Sequence, residues 1–130
     1  MVNFRKIKIR KAFTGEMKQI ITIIAKFPEQ LIQKPLPKPK DFFVAVDGRM
    51  IVGCVALDVY SKKIAEIRSL AVLIKYRRAG IGSRLVKACV KKAQERKIHE
   101  ILVITENEKL FHAAGFKPFQ KQKLALFRLT

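Results

Sequence analysis

The sequence has few of the residues that build metal sites, disulfide frameworks or membrane spans. Its 130 residues include two cysteines, two histidines and no tryptophan, too few for a disulfide framework or a metal-ligand cluster. The longest apolar run, residues 50–57, is far short of the roughly 20 residues that a bilayer requires. Acidic residues are also scarce: 10 Asp and Glu stand against 28 Lys and Arg, a formal net charge of +18. That excess predicts attraction to an anion, which could be a nucleic acid, an acidic protein or a phosphorylated cofactor. Alternatively, the basic side chains simply form solvated faces.

The remaining totals indicate one globular domain, residues 1–130, because 49% of the residues are hydrophobic. Cys54 and Cys89 lie inside apolar segments and form no CxxC pair, so we expect buried thiols rather than a disulfide. The basic N-terminal segment lacks the apolar core of a signal peptide. We therefore expect a reducing, cytoplasmic location.

The first half of the chain predicts a strand, a helix and a connector. Residues 3–10 alternate apolar and basic, as in a half-buried strand. Thr14 is the expected N-cap of a helix with Glu16 in its first turn, ending before Pro28. Residues 28–40 hold four of the five prolines among lysines, which predicts an extended basic connector. It is either a plain crossover loop or a loop that contacts substrate.

The second half predicts two hairpins followed by a strand–helix–strand unit. Residues 42–46 and 50–59 flank an Asp47-Gly48 turn, and residues 60–63 join the second of these strands to residues 64–72. A helix of about four turns begins at Ile81, and a parallel strand over residues 98–105 follows it. A short helix over residues 108–114 ends before Gly115, and residues 116–119 and 123–129 are expected to be closing strands.

The loop between the third antiparallel strand and the long helix has the composition of an anion site. It reads Arg77-Arg78-Ala79-Gly80-Ile81-Gly82. The two glycines let a ligand approach backbone N–H groups, and the helix N-terminus adds positive potential. No GK[ST] follows, so it is not a P-loop, and the third glycine of a dinucleotide fingerprint is missing.

The segment resembles the acetyl-CoA signature [QR]-x-x-G-x-[GA] of the GNAT superfamily of N-acetyltransferases, which Arg77, Gly80 and Gly82 match. LAV before the loop and LFHAAGF at residues 110–116 resemble further family elements, and the order of strands and helices also fits. The hairpin strands are similar to amino-acid acetyltransferases of the N-acetylglutamate synthase type. The resemblance implies an α/β (α+β) fold: a mixed, mainly antiparallel central sheet flanked by helices, with a parallel strand–helix–strand unit for acetyl-CoA.

The resemblance also implies which residues bind the cofactor. Backbone amides near the loop would bind the pyrophosphate, and the strand before it would pair with the pantetheine arm where two strands splay apart. The implied cofactor-binding residues are Leu70, Ala71, Val72, Arg77, Arg78, Ala79, Gly80, Ile81, Gly82, Ser83 and Phe111. The family often has a tyrosine at the position of Phe111, where its hydroxyl protonates the leaving thiolate. Phenylalanine cannot, but a thiolate of pKa near 8.5 needs little help in leaving.

Glu66 occupies the position where several family members keep a carboxylate general base. Such a base would take a proton from an amine directly or through water. Alternatively, Glu66 is a strand carboxylate paired with a cation. Arg68, two residues on, projects to the same face and either binds a substrate carboxylate or forms a salt bridge with Glu66.

These residues predict an acetyl-CoA-dependent N-acetyltransferase that acts on a small amine or an amino acid. Two alternatives remain. One is a nucleic-acid-binding or regulatory module on a degenerate GNAT fold, in which the connector and the basic face of the long helix would follow phosphates. That face comprises Arg84, Lys87, Lys91, Lys92 and Arg96. The other is a CoA-binding pseudoenzyme. The sequence indicates no metal, no membrane association and no particular oligomeric state.

Overall fold

The computed structural model describes residues 6–118, which form one five-stranded sheet with helices on both faces. The strands are β1 (Ile7–Lys11), β2 (Phe42–Asp47), β3 (Met50–Val59), β4 (Ile64–Val72) and β5 (Glu100–Val103). They lie in the order β1-β2-β3-β4-β5. The first three pairings are antiparallel and the β4–β5 pairing is parallel. The predicted mixed, mainly antiparallel sheet is thus confirmed.

One face of the sheet packs against α2 (Ile81–Glu95), the connection between the two parallel strands. The buried side chains of α2 recur at helical spacing and are Ile81, Leu85, Val86, Cys89 and Ala93. The short helix α3 (Glu108–Ala113) adds Phe111 to the same apolar cluster. The predicted helix of about four turns is therefore present and buries the expected stripe.

The opposite face packs against α1 (Met17–Ile24), whose Ile20, Ile23 and Ile24 are buried. Side chains of the Pro-rich connector, including Leu31 and Leu36, pack against the same cluster. The connector is thus anchored to the sheet by apolar contacts and ends in a 3₁₀ turn at Pro39–Asp41. This face carries the residues that we assign to acceptor chemistry below.

A β-bulge in β4 changes which side chains face each helix. Cys54 pairs with Ala71 and Ala56 pairs with Arg68. Residues 69 and 70 of β4 therefore both lie opposite Val55 of β3. Ser69, at the bulge, has φ +59° and is buried. Ile67 and Val72 both join the cluster beneath α2 although they are five residues apart, which unbroken alternation would forbid.

Several boundaries differ from those predicted. Thr14 begins a 3₁₀ turn, Thr14–Glu16, and does not cap α1. Glu16 supplies the capping contact instead, because its carboxylate accepts the Phe13 N–H at 2.7 Å. The strand expected over residues 98–105 is confined to Glu100–Val103. Of the two closing strands, residues 116–118 lie outside any strand, and everything from residue 119 on lies outside the described residues.

The end of α3 confirms the role expected of Gly115. The Gly115 N–H donates to His112 O at 3.0 Å, and the Phe116 N–H donates to Phe111 O at 2.9 Å. Gly115 has φ +92°, and the rings of Phe111 and Phe116 meet edge to face at 5.4 Å. These are the two hydrogen bonds and the apolar contact of a Schellman motif.

Two basic residues of α2 are engaged by the fold. Arg84 donates from Nη2 to Ile7 O at 2.9 Å, which ties the helix to β1. Lys92 is half-buried with its Nζ 5.7 Å from the centre of the Phe43 ring, and burial lowers its pKa. Arg84 and Lys92 thus have structural contacts, contrary to the uniformly solvated face that we expected.

The two cysteines are free and buried, as expected. Burial raises the pKa of both thiols to about 12. Across residues 6–118, no helix is both long and apolar enough to cross a bilayer. Within that same range, no three His, Cys, Asp or Glu side chains come together as metal ligands would.

Candidate active site

The two parallel strands at the centre of the predicted cofactor unit are paired only at one end. β4 and β5 pair from Ile64–Glu100 to Ile67–Val103. β4 continues to Val72, whereas β5 ends at Val103. Among residues 6–118, no strand pairs with residues 68–72 of β4 on the β5 side. Apart from Val72 O, which accepts from Arg77 Nε, this edge of backbone N–H and C=O groups is open to a ligand.

The glycine-containing loop lies directly beyond this open edge. Gly80 has φ +76° and is the N-cap of α2, and Arg84 N–H to Gly80 O at 3.0 Å is the first hydrogen bond of the helix. The N–H groups of Ile81, Gly82 and Ser83 precede that bond, so none has an acceptor within the helix. Three N–H groups and the positive end of a 15-residue helix thus point out of the same loop.

The two arginines of the loop differ in their contacts. Arg77 donates from Nε to Val72 O at 3.0 Å, and its guanidinium carbon lies 4.9 Å from the centre of the Phe27 ring. Arg77 therefore fixes the loop to the end of β4 as well as contributing charge. Arg78 is exposed and has φ +67°, in the left-handed region. Ala79 packs against the cluster beneath α2.

The remaining predicted cofactor residues divide into edge and core positions. Leu70, Ala71 and Val72 lie on the open part of β4. Phe111 is only 4% exposed and packs in the core beneath α2. Its side chain supports α3 and offers little surface to a cofactor.

Glu66 lies at the point where the strands begin to separate. It pairs with Leu102 of β5, one residue before the last β4–β5 pair. Its neighbours Ala65 and Ile67 pack beneath α2, so alternation directs Glu66 to the other face. Its Oε1 accepts a hydrogen bond from the Tyr60 hydroxyl. Burial raises the pKa of Tyr60 to about 12, and the hydrogen-bonded carboxylate of Glu66 contributes to the same increase.

Arg68 joins β3, β4 and the connector. Its Nη1 donates to Asp58 Oδ2 at 3.0 Å, and its Nη2 donates to Pro35 O at 2.9 Å. Asp58 is the direct cross-strand partner of Glu66. The alternative in which Arg68 pairs with Glu66 is therefore wrong, because Asp58 takes the guanidinium.

A cleft of about 420 Å³ lies beside this group, between the connector and the strands β3 and β4. Four of its lining residues are cationic and two are acidic: Lys38, Lys40, Arg68 and Arg96 face Asp41 and Asp58. The cleft touches Arg68 and Asp58 on the face where Glu66 lies. Glu66 itself does not line the cleft, but its cross-strand partner Asp58 does, and the surroundings carry excess positive charge.

Sequence reasoning missed Tyr60, Asp58 and the Ser69 bulge as parts of this region. Tyr60 lies outside the family motif, so the motif does not point to it. A diagonal cross-strand position brings it to Glu66, and only the strand register reveals that position. No side chain near Ser69 indicates a bulge, since serine has no preference for positive φ.

The site fits a CoA cofactor on three features of the chain itself. The edge of residues 68–72 can pair with the amides of an extended pantetheine arm. The N–H groups that open α2 suit a pyrophosphate. Gly82 leaves space, since a Cβ there would meet only Leu110 Cδ2, at 3.7 Å.

Comparison with known proteins agrees with this geometry. Residues 38–118 match the family model of the acetyltransferase (GNAT) domain. An uncharacterized N-acetyltransferase of Chlorobaculum tepidum, CT2212, is 41% identical over 83 residues, which cover 64% of this chain and 54% of that protein. The chain thus matches about half the length of this curated relative.

Solved structures share the fold. The Rv2747 protein of Mycobacterium tuberculosis, in complex with CoA and NLQ, is similar with a TM-score of 0.81 and 25% identity, covering 91% of this chain and 76% of that one. N-acetylglutamate synthase from Neisseria gonorrhoeae, with coenzyme A and N-acetyl-glutamate, has a TM-score of 0.73 and 23% identity. The match covers 84% of this chain and 27% of that one.

Proposed function

The chain belongs to the GNAT acetyltransferase family, and we propose that it transfers an acetyl group from acetyl-CoA to a primary amine. The observation that carries the proposal is the open edge of β4, which runs from the carboxylate of Glu66 to the N–H groups that begin α2. Cofactor contacts and a candidate base therefore lie along one strand. The CoA-bound state of Rv2747 supports the choice of cofactor.

The chemistry assigned to this chain is binding, orientation and one proton transfer. When bound, acetyl-CoA supplies an activated acetyl thioester. An ammonium has no lone pair, so the acceptor must lose one proton before its nitrogen can form the new amide bond. That bond would replace the thioester C–S bond, and the second proton of the nitrogen would leave with CoA as its thiol. Glu66 takes that proton directly or through a water. The N–H groups of Ile81, Gly82 and Ser83 bind the pyrophosphate.

We assign the acceptor to the small-molecule amines, with amino acids as the first class to test. The cleft beside the Asp58–Arg68 salt bridge has the volume of a small ligand, and its cationic excess favours an acceptor that also carries a carboxylate. Arg68 lines the cleft. Its Nη1 and Nη2 each have one further N–H beyond the bonds to Asp58 and Pro35, and we assign these to a substrate carboxylate.

The test begins with cofactor binding and then asks for the acceptor. Saturating acetyl-CoA should raise the thermal unfolding midpoint, because a ligand that binds only the folded state stabilises it. An acceptor screen should include amino acids, polyamines and amine-bearing peptides. No shift with acetyl-CoA would refute the proposal. A shift without acetylation of any amine would favour the CoA-binding pseudoenzyme, and nucleic-acid affinity that falls steeply with salt would favour the basic module.

Glu66→Gln tests the assigned base. The amide keeps the shape of the side chain but cannot accept the proton, so we expect kcat to fall by about 10²–10⁴-fold while the acetyl-CoA thermal shift is retained. Glu95→Gln is the matched control, because Glu95 lies on the exposed side of α2. Unchanged turnover in Glu66→Gln would remove Glu66 as the base.

A further inference from the structure

Tyr60 lies against the candidate base, and its role, inferred below, rests on the proposed function. Tyr60 directly follows β3, and its backbone N–H donates to Ile64 O at 3.1 Å. Because Tyr60 faces Ile64, Glu66 is its diagonal neighbour on the adjacent strand, within reach of an aromatic side chain. The Tyr60 hydroxyl donates to Glu66 Oε1. The hairpin thus delivers a phenol to the candidate base.

Two carboxylates face each other across this hairpin and have different partners. Asp58 and Glu66 are direct cross-strand neighbours, an arrangement that is unfavourable when both are ionised and unpaired. Arg68 forms a salt bridge with Asp58 at 3.0 Å. In the part of the chain that the structure describes, Glu66 forms no salt bridge and has a neutral phenol as its partner. The cation is therefore directed away from the residue that must accept a proton.

We propose that Tyr60 is a positioning residue that occupies Glu66 Oε1 and so leaves Oε2 as the oxygen that accepts the substrate proton. A phenol that donates to an ionised carboxylate forms a strong hydrogen bond, which fixes the side-chain rotamer. A salt bridge would also fix it, but an adjacent cation makes a carboxylate a weaker base. The neutral donor orients Glu66 without placing a positive charge beside it.

The charged groups around Glu66 leave Tyr60 as the group that touches its carboxylate. Asp58 faces Glu66 from β3, Arg68 follows it on β4, and its β5 partner Leu102 is uncharged. The cations Lys38, Lys40 and Arg96 line the neighbouring cleft.

The experiment compares Tyr60→Phe with Ser61→Ala. Ser61 is the matched control, because its hydroxyl lies in the same turn but accepts the Lys63 N–H at 3.0 Å. We expect Tyr60→Phe to lower kcat by about tenfold, the size of one hydrogen bond to a charged group, with the KM for acetyl-CoA unchanged. Ser61→Ala should keep the wild-type rate. Tyr60→Phe in the Glu66→Gln background should cause no further loss.

A second readout does not need activity. The chain has two tyrosines and no tryptophan. Subtracting the tyrosinate absorbance of Tyr60→Phe from that of the wild type therefore gives the titration of Tyr60 alone. It should ionise near its pKa of about 12 in wild type and at lower pH in Glu66→Gln, which lacks the negative charge.

The outcomes separate the two proposals. Wild-type kcat in Tyr60→Phe, with Glu66→Gln impaired, would overturn the role of Tyr60 and leave the acetyltransferase intact. If Glu66→Gln keeps the wild-type kcat, neither the assignment of Glu66 as the base nor that of Tyr60 as its positioning residue holds. Absence of an acetyl-CoA thermal shift in wild type would overturn the proposed function itself.

Discussion

Replacing either glycine of the loop before α2 with alanine tests the geometry of the anion site, because the two positions should respond in opposite directions. Gly80 is the N-cap of the helix with φ +76°, and Gly82 is its second residue. They are two positions apart and undergo the same chemical change, so each serves as the control for the other.

The expected magnitudes follow from backbone conformation and from the space around each glycine. A Cβ on Gly80 meets nothing within 4 Å, so its cost is conformational, about 1–2 kcal/mol for a left-handed alanine. A Cβ on Gly82 meets Leu110 Cδ2 at 3.7 Å, an ordinary contact. Alanine should stabilise this helical position by about 0.5–1 kcal/mol. The two variants should therefore differ by about 2 kcal/mol.

Urea unfolding followed by circular dichroism measures these differences, and calorimetry measures CoA binding. Gly82→Ala should unfold at higher urea and keep its CoA affinity, because the signature accepts alanine at that position. Gly80→Ala should unfold at lower urea and bind CoA more weakly, because the N–H groups after Gly80 would lose their alignment. A shift of both urea midpoints in the same direction would refute this account of the loop.

Two further substitutions test contacts outside the loop. Glu16→Gln should lower stability at neutral pH and have little effect in strong acid. Arg10 holds the pKa of Glu16 below its usual range, so the contribution is present above that range and is lost as pH falls through the lowered value. Urea unfolding at both pH values checks this, and an equal loss at both would contradict it. Arg68→Lys should raise the KM for the acceptor and speed proteolysis of the connector, because one ammonium cannot reproduce the forked contacts to Asp58 and Pro35. Unchanged steady-state kinetics and proteolysis would count against that role.

Local signals were sufficient for most of the architecture. Gly48 predicts the β2–β3 hairpin because the turn needs a residue that tolerates positive φ, and Gly48 has φ +61°. The turn itself is Gly48-Arg49, one residue later than the predicted Asp47-Gly48, because Asp47 ends β2 and pairs with Met50. Gly115 likewise marks the end of α3. Thr14 is not the N-cap because the helical segment begins one residue earlier: Phe13 is the N-cap of the Thr14–Glu16 turn, and its N–H donates to the Glu16 carboxylate. β5 is shorter than predicted because Ile104 and Thr105 suit a strand but lie beyond the last β4–β5 pair, Ile67–Val103.

The sequence by itself determined the family, the order of elements and the position of the anion loop, because each depends on residues close together in the chain. The tertiary structure alone decided the surroundings of Glu66. Strand register places Tyr60 diagonally against it and Asp58 directly opposite, and Arg68 is drawn to Asp58 and the connector. The bulge at Ser69 then turns residues 70–72 relative to Glu66. Register and bulges arise from pairing between strands, and no single strand encodes them.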